Sequence, residues 1–161
     1  MTKNKLPVTQ AVRVLKKFGV QFKAHPYDYL EGGGTARFAE QAGVDEHRVI
    51  KTLLMEDDHS QPMIVLMHGD KKVSVKNLAR HLDVKSITPC EPKTADKHSG
   101  YQVGGTSPFG TRKSMPVYCE ASIAELDEIF INGGKRGFII SMQTQEMLNI
   151  LTPELVSVAT E

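Results

Sequence analysis

The chain has 161 residues and a hydrophobic fraction of 40%, the usual size and composition of one compact domain, so we expect a single domain over residues 1–161. No apolar stretch approaches the ~20 residues that span a bilayer, and the basic start over residues 1–7 lacks the apolar core of a signal peptide, so we expect a cytoplasmic protein. Two cysteines are too few for a disulfide framework, and a formal net charge of +1 neither supports nor excludes binding to RNA.

Helix caps and glycine stops organise the first part of the chain. Thr9 predicts the start of a helix that ends at Gly19. Apolar residues recur along this helix at helical spacing: Val12, Leu15 and Phe18. The next predicted elements, in chain order, are a strand over 21–27, a mobile loop over 31–34, a helix over 35–42 and a further turn capped by Asp45.

Two apolar runs of strand length, 49–55 and 63–67, predict a central hairpin. Ser74 predicts the start of a helix that carries Leu78 and Leu82. The later elements are predicted as a weaker helix over 91–98, strands over 116–119, 128–132 and 138–141, a tight glycine turn over 133–137, a helix over 144–151 capped by Thr144, and an edge strand over 155–158. Because several strand pairs have short connections, we predict the α+β class with a mixed sheet and packed helices.

The usual catalytic patterns do not fit this chain. Its six histidines lack the spacing of a zinc-protease helix, so we expect no metal, and no motif predicts a cofactor. Ser107 is followed by Pro108 and lacks the glycine that closes a nucleophile elbow. Cys90 lies between two prolines and Cys119 lies in an apolar strand, where a thiol behaves as a small hydrophobic group.

Two features suggest a binding site. Lys51 interrupts an apolar strand, so it either reaches solvent or lines a pocket. The glycine-rich segment 104–110 either forms an ordinary turn or presents backbone amides to a ligand, as an oxyanion hole does. The segment 133–137 is equally open: it is only a hairpin turn that displays Lys135 and Arg136 to water, or part of the same site.

Four segments together resemble the YbaK family of cysteinyl-tRNA(Pro) deacylases. They are His25-Pro26-Tyr27-Asp28, Lys51-Thr52-Leu53-Leu54, the segment 99–110 and Gly133-Gly134-Lys135-Arg136-Gly137. The resemblance implies the fold of the prolyl-tRNA synthetase editing domain: a strongly curved, barrel-like mixed sheet of six to seven strands surrounded by helices. It also implies trans-editing, the removal of a wrong amino acid from transfer RNA by a separate hydrolase.

The resemblance also implies roles for individual residues. Lys51 would hold the terminal adenosine or its phosphate, and the Gly104 amide would meet the ester carbonyl as negative charge develops there. The other substrate-binding positions implied are Tyr27, Thr52, Gly105, Thr106, Pro108, Asn132, Gly133, Gly134, Lys135 and Arg136. The nucleophile would be the thiol of the substrate's own cysteine, which forms a small thiolactone, so the protein needs no catalytic Ser, Cys or His.

Three positions depart from the family's usual pattern: Gly34, Asn132 and Ile139. These departures leave open the editing of another small amino acid, such as alanine. A non-catalytic module that binds a tRNA end or a synthetase is a further alternative. The expected partners are the aminoacylated tRNA end and, as the family suggests, prolyl-tRNA synthetase. The densest basic run is either a contact for the tRNA body or a solvated face: Lys71, Lys72, Lys76, Arg80 and Lys85.

Overall fold

A computed structural model describes residues 6–161, so the basic residues 1–5 at the start of the chain lie outside the described part. The helices are α1 (Gln10–Lys17), α2 (Gly34–Ala42), α3 (Val75–Leu82), α4 (Pro92–Ser99) and α5 (Thr144–Leu151), with single 3-10 turns at Glu46–Arg48 and Ala121–Glu125. No helix within residues 6–161 combines the length and the apolar character needed to cross a membrane.

Ten strands lie between and after these helices. They are β1 (Phe22–Pro26), β2 (Val49–Asp57), β3 (Pro62–His68), β4 (Lys72–Val73), β5 (Ile87–Pro89), β6 (Val117–Glu120), β7 (Glu128–Lys135), β8 (Phe138–Gln143), β9 (Glu154–Val156) and β10 (Ala159–Thr160). Eight of them form one sheet in the order β1-β8-β7-β2-β3-β6-β9, with β5 also paired to β2. Strands β4 and β10 form a separate antiparallel pair.

The predicted α+β class and mixed sheet are confirmed. Strands β2 and β3 form the predicted antiparallel hairpin, whereas β2–β7, β3–β6 and β6–β9 are parallel pairs. The sheet has eight strands instead of the six to seven expected because β5 joins it. A three-residue strand that ends in proline has neither the length nor the alternation by which strands are recognised in a sequence.

Local side-chain hydrogen bonds start the helices where the sequence predicted. The Thr9 hydroxyl accepts a hydrogen bond from the Val12 amide, and the Ser74 hydroxyl accepts one from the Asn77 amide. The Asp45 carboxylate caps the 3-10 turn in the same way. Gly43 ends α2 in the left-handed conformation that glycine adopts without steric strain. These caps confirm the predicted starts of three helical segments.

Three local predictions were wrong. Thr144 is the first residue of α5 instead of its cap, and its buried hydroxyl has no hydrogen-bond partner among the described residues. Phe18 directly follows α1 and is 59% exposed, so it does not continue the buried stripe of Val12 and Leu15. The predicted turn over 133–137 is shorter: Gly133 and Gly134 belong to β7 at a β-bulge.

The central strand β3 is buried on both faces. Ile64 and Leu66 pack in the main apolar cluster, which also contains residues of α1 and α5, whereas Val65 and Met67 pack against α3 on the opposite face. Successive side chains of a strand point to opposite faces, so one strand contributes to both clusters. A third, smaller cluster packs α2 against β7 and β8. Because β2 is hydrogen-bonded to β3, the packing of β3 also holds β2 in place in the middle of the sheet.

Candidate active site

Strand β2 is paired with a neighbouring strand along nearly the whole of one edge. Along its other edge it is paired only at its two ends. Strand β3 pairs with it from Ile50 to Glu56. On the opposite edge, β7 pairs with residues 49–50 and β5 with residues 55–57. Residues 51–54 therefore have no strand partner on that edge within the described chain. The sheet opens at this point and exposes backbone hydrogen-bonding groups in the gap.

A cavity of about 430 Å³ occupies this opening. It is lined by Tyr27, Tyr29, Gly32, Gly34, Thr35, Phe38, Ile50, Lys51, Thr52, Leu53, Leu54, Cys90, Ala95, Val103, Gly104, Thr106, Asn132 and Ile139. Five consecutive residues of β2 line it, so the strand presents its edge to the cavity instead of one face. The hydroxyl of Thr52 is buried in this wall and has no hydrogen-bond partner among the described residues. An unpaired buried hydroxyl is available to a polar group of a ligand.

Lys51 lines the cavity, which favours the pocket alternative over the solvent one. Its ammonium group donates a hydrogen bond to the carbonyl oxygen of Lys71 at 2.5 Å. Burial lowers the pKa of Lys51, while the nearby carboxylates of Glu46 and Asp70 oppose that shift. Lys51 is the one charged side chain among the described residues that line the cavity. The wall therefore offers a single cation to a bound group.

Gly104 lies against the same cavity with a backbone amide that is free to bind. Its φ of +91° is a left-handed conformation that favours glycine, and an added Cβ would collide with the Tyr29 side chain. Its carbonyl oxygen accepts a hydrogen bond from the Asn132 side-chain amide at 3.2 Å. Its N–H has no hydrogen-bond partner within residues 6–161. Lys51 and Gly104, the two residues predicted to be catalytic, thus line one cavity.

The rest of the 104–110 segment divides into lining and supporting residues. Thr106 lines the cavity. Gly105 and Pro108 are buried outside it, and Gly105 packs so closely on the backbone of Lys135 and Arg136 that no side chain would fit. The Ser107 hydroxyl is also buried and accepts a hydrogen bond from the Phe109 amide at 3.1 Å. The segment is therefore held from behind by the β7–β8 hairpin.

The hairpin residues predicted to bind substrate mostly support the site from outside. Asn132 lines the cavity, and its side-chain oxygen accepts hydrogen bonds from the amides of Gly134 (2.7 Å) and Lys135 (3.1 Å). Arg136 donates from Nε to the Val103 carbonyl at 2.9 Å, and its guanidinium lies 5.1 Å from the centre of the Tyr29 ring. Gly133, Gly134, Lys135 and Arg136 are not among the lining residues.

Aromatic residues and the three departures from the family pattern complete the wall. Tyr27 lines the cavity, packs edge-on against Phe38, and has its pKa raised by burial. Gly34, Asn132 and Ile139 all line the cavity as well. The positions that the sequence marks as unusual are therefore positions that contact whatever the cavity holds.

Cys90 lines the cavity as a protonated thiol. Burial, together with the carboxylate of Glu56, raises its pKa to about 11, and its sulfur lies 3.6 Å from Glu56 Oε1. A thiol with such a pKa is scarcely ionised near neutral pH and is a weak nucleophile. Its contribution to the cavity is apolar surface.

The histidines that appear scattered in the sequence include one close group. The rings of His47 and His68 stack at 3.7 Å, and the Asp70 carboxylate lies 2.9 Å from His47 Nδ1. These three side chains bring potential metal ligands within 4.8 Å of one another. Both ring nitrogens of His68 already have partners, the His47 carbonyl at 2.6 Å and the Ser122 hydroxyl at 2.8 Å. A cation bound there would displace one of these hydrogen bonds.

Sequence reasoning missed several wall residues: Tyr29, Thr35, Phe38, Ile50, Leu53, Leu54, Ala95 and Val103. They come from five segments that approach one another only after folding, and most of them are apolar side chains, which carry no chemical signature of a site. Tyr29, two residues after Tyr27, was the most accessible to prediction. The arrangement as a whole combines one cation, one free amide, one unpaired hydroxyl and apolar walls, which suits an ester whose carbonyl oxygen gains charge.

Known proteins that are similar to this chain in sequence include tRNA-editing proteins and a proline–tRNA ligase. The family model described as "Aminoacyl-tRNA editing domain" matches residues 32–150. A protein of Enterococcus faecalis named "Putative Cys-tRNA(Pro)/Cys-tRNA(Cys) deacylase EbsC" is 25% identical over 95% of this chain and 94% of its own length. A proline–tRNA ligase of Ligilactobacillus salivarius is 29% identical over 62% of this chain and 17% of the ligase.

Solved structures share the fold. A crystal structure described as "a putative trans-editing enzyme for prolyl tRNA synthetase" superimposes with a TM-score of 0.83, at 17% identity, over 98% of this chain and all of the other. The structure of the hypothetical protein APE2540 gives a TM-score of 0.85 at 16% identity and covers 94% of this chain and 99% of its own.

Proposed function

The chain belongs to the aminoacyl-tRNA editing domain family, and from that membership we propose that it hydrolyses mischarged Cys-tRNA(Pro) in trans. As a member, it is a hydrolase of the aminoacyl-tRNA ester bond. The observation that carries the proposal is that Lys51 and Gly104 line the same cavity. We assign this activity to one domain over residues 1–161 and to the cytoplasm.

Lys51 binds the acylated end of the tRNA. Its ammonium group pairs with the terminal adenosine or its phosphate, and half-burial strengthens that pair because water screens it less. The hydrogen bond to the Lys71 carbonyl fixes the direction of the side chain before substrate arrives. Thr52 and Tyr27 complete this part of the wall, and the unpaired Thr52 hydroxyl gains a partner when substrate binds.

The Gly104 amide stabilises the oxyanion. As the ester carbonyl is attacked, its oxygen gains negative charge, and a preorganised N–H placed toward that oxygen lowers the barrier by about 3 to 4 kcal/mol in other hydrolases. The hydrogen bond from Asn132 to the Gly104 carbonyl and the packing of Gly105 on the hairpin hold the segment in place.

The nucleophile is the sulfur of the substrate's cysteine. The thiol loses its proton to water, and the thiolate attacks the cysteine's own carbonyl carbon. The carbon–oxygen bond to the ribose then breaks, and the ribose oxygen takes a proton, which leaves free tRNA and a four-membered thiolactone. Water opens the thiolactone to cysteine. A thiol of ordinary pKa near 8.5 is only slightly ionised at neutral pH, but intramolecular attack compensates through a high effective molarity.

A second candidate substrate is alanine or another small residue on tRNA(Pro). Gly34, Asn132 and Ile139 depart from the family pattern and line the cavity, which favours a change in the side chain accepted. A methylene more or less changes binding by only ~1 to 3 kcal/mol, so the wall discriminates weakly by size. Association with prolyl-tRNA synthetase is the proposed means of selecting tRNA(Pro).

The test is a panel of tRNA(Pro) charged with cysteine, alanine or serine. With micromolar protein, we expect rapid release of cysteine and release of serine and alanine close to the spontaneous rate, because neither side chain supplies a thiol. Rapid release of alanine would contradict the thiol mechanism and support the second candidate. No release of any amino acid would contradict the activity on this tRNA.

A Lys51→Ala variant tests whether the cavity is the site of hydrolysis. We expect it to lose ~10- to 100-fold in kcat/KM, since a charged hydrogen bond contributes about 1.5 to 3 kcal/mol. Lys23→Ala, at an exposed lysine of β1 that does not line the cavity, is the matched control. Equal losses in both variants would assign the effect to general charge instead of to the cavity.

A further inference from the structure

A second concavity, of about 440 Å³, lies between α3 and β5 and apart from the cavity of the editing site. Its lining residues are Val75, Lys76, Ala79, Arg80, Val84, Lys85, Ser86 and Ile87. We call it the α3 groove. Three of these eight residues are cationic and none is acidic, so the groove offers a local basic surface on a chain whose net charge is only +1.

Of the five residues in the basic run, Lys71 and Lys72 do not line the groove, and the other three do. Lys71 is engaged elsewhere: its ammonium pairs with Glu161 at 2.6 Å, and its carbonyl holds Lys51. Lys76, Arg80 and Lys85 are exposed and converge on the α3 groove, and none of them has an ion pair within the described residues. Lys76 and Arg80 are one helical turn apart and therefore share one face of α3.

The rest of the groove leaves these cations available. Arg80 donates from Nη1 to Asn77 at 3.3 Å, which leaves most of its guanidinium N–H groups free. One nearby carboxylate, that of Asp58, accepts hydrogen bonds from the backbone amides of Lys85 and Ser86. It therefore fixes the backbone at the end of the groove while the Lys85 side chain stays unpaired.

Strand β5 connects the groove to the editing cavity. Ile87, its first residue, lines the groove, and Cys90, the residue after its end, lines the cavity. Three residues of a strand span about 10 Å, and β5 is fixed by its pairing with residues 55–57 of β2. The groove and the cavity therefore adjoin opposite ends of one short strand.

We propose that the α3 groove binds phosphate groups of the tRNA acceptor end while the aminoacyl ester occupies the cavity, an inference that rests on the proposed function. Three unpaired cations on one concave surface suit a ligand that carries regularly spaced negative charges. The groove supplies affinity and positions the RNA backbone, and it reads no base because its cations meet only phosphates.

The test uses two triple variants of equal charge change. Lys76→Ala, Arg80→Ala and Lys85→Ala remove the groove cations; Arg13→Ala, Lys16→Ala and Lys17→Ala remove two lysines and one arginine from the exposed face of α1. Hydrolysis of Cys-tRNA(Pro) and of 3′-cysteinyl-adenosine is measured from 50 to 200 mM salt. Circular dichroism checks that each variant is folded.

For the groove variant, we expect the slope of log(kcat/KM) for Cys-tRNA(Pro) against log salt to flatten by about 2 to 3, at ~0.7 to 0.9 for each phosphate contact. Hydrolysis of 3′-cysteinyl-adenosine stays within about twofold of wild type, because this substrate has no backbone to contact the groove. The α1 variant keeps the wild-type slope.

Equal changes in the two triple variants, or a groove variant that matches wild type on Cys-tRNA(Pro), would overturn the inference. Failure of the proposed function gives a different result. In that case the wild-type protein releases cysteine from neither substrate, whereas a failed groove leaves wild-type hydrolysis of both substrates intact.

Discussion

The two edges of β2 have opposite environments although they belong to the same nine residues. The edge toward β3 is paired over seven consecutive residues, and its neighbours Val65, Leu66 and Met67 are fully buried. The other edge is paired only at its ends, and the cavity lies between the two pairings. The closed edge belongs to the packed core, and the open edge borders the cavity that we propose as the editing site.

This contrast shows how a gap in strand pairing leaves room for a cavity at the middle of a sheet. The strand stays rigid because one edge is fully paired, so the open edge can leave polar groups unsatisfied at a fixed position. Thr52 and Leu66 illustrate the division: they are partners across β2 and β3, yet the Thr52 hydroxyl lacks a partner and Leu66 is fully buried. Substitutions on the two edges should therefore have separable effects.

The largest effect is expected on the open side, from Gly104→Ala. An added Cβ meets Tyr29 and is strained at a φ of +91°, so the amide moves from its position. We expect hydrolysis to fall ~100- to 1000-fold, the usual loss when an oxyanion donor is removed.

Gly19→Ala is the matched control for this variant. Gly19 also has a positive φ, +69°, but an added Cβ there meets nothing within 4 Å. It should lower the free energy of unfolding by roughly 1 kcal/mol without changing kcat. Equal kinetic losses in the two variants would show that backbone strain, and not the amide at Gly104, limits the rate.

On the closed edge, Leu66→Ala should lower the free energy of unfolding by about 3 kcal/mol, because it leaves a cavity in the main apolar cluster. Urea unfolding measures this change. Thr52→Val, directly across the pair, should raise the unfolding free energy by about 1 kcal/mol, since it removes a buried hydroxyl that has no partner.

Activity should respond in the opposite way. Thr52→Val should lose about tenfold in kcat/KM because a hydrogen bond to substrate is gone. The Leu66→Ala protein should keep most of its activity at temperatures where it stays folded. Loss of stability in Thr52→Val would contradict the division between the two edges.

The smallest effect concerns the end of the closed edge, where His68 pairs with Ile50. Burial lowers the pKa of His68, against the opposing influence of the His47 carbonyl and of Asp70 and Glu120. The folded protein thus holds the imidazole neutral, while the unfolded chain binds a proton below about pH 6.5. Stability present above that pH should fall progressively as the pH decreases through the folded-state pKa of His68.

Urea unfolding between pH 8 and pH 5 measures this dependence. The unfolding free energy of His68→Gln should depend less steeply on pH than that of wild type. Part of the slope should remain, because burial also lowers the pKa of His25. An unchanged slope in His68→Gln would show that His68 does not contribute.

Much of the fold could be predicted because its signals are local. Thr9, Ser74 and Asp45 cap their own helical segments, and the two apolar runs around residues 49–67 are long enough to identify a hairpin. By contrast, β5 has three residues and β4 and β10 have two each, so their pairing depends on neighbours that the sequence does not place. Gly133 and Gly134 lie at a β-bulge. Phe138 and Tyr101 pack so closely on them that no side chain would fit, and these contacts arise only in the folded protein.

The candidate site could be predicted only in part for the same reason. Lys51 is a charged residue in an apolar strand and Gly104 lies in a glycine-rich segment, so both are recognisable as candidate site residues. The family resemblance assigns them to the same site. The opening in the sheet arises from where β5 and β7 end on β2, which is a tertiary property. The sequence therefore does not show that Asn132 lines the cavity whereas Gly133 and Lys135 do not.

The most direct measurement is an NMR titration of ¹⁵N-labelled protein with a non-hydrolysable 3′-amide analogue of cysteinyl-adenosine. If the cavity holds the acylated end, the backbone amide of Gly104 and the side-chain amine of Lys51 should shift together and saturate at one ligand per chain, while signals of α1 stay in place. Saturable binding that leaves both Gly104 and Lys51 unshifted would contradict the account.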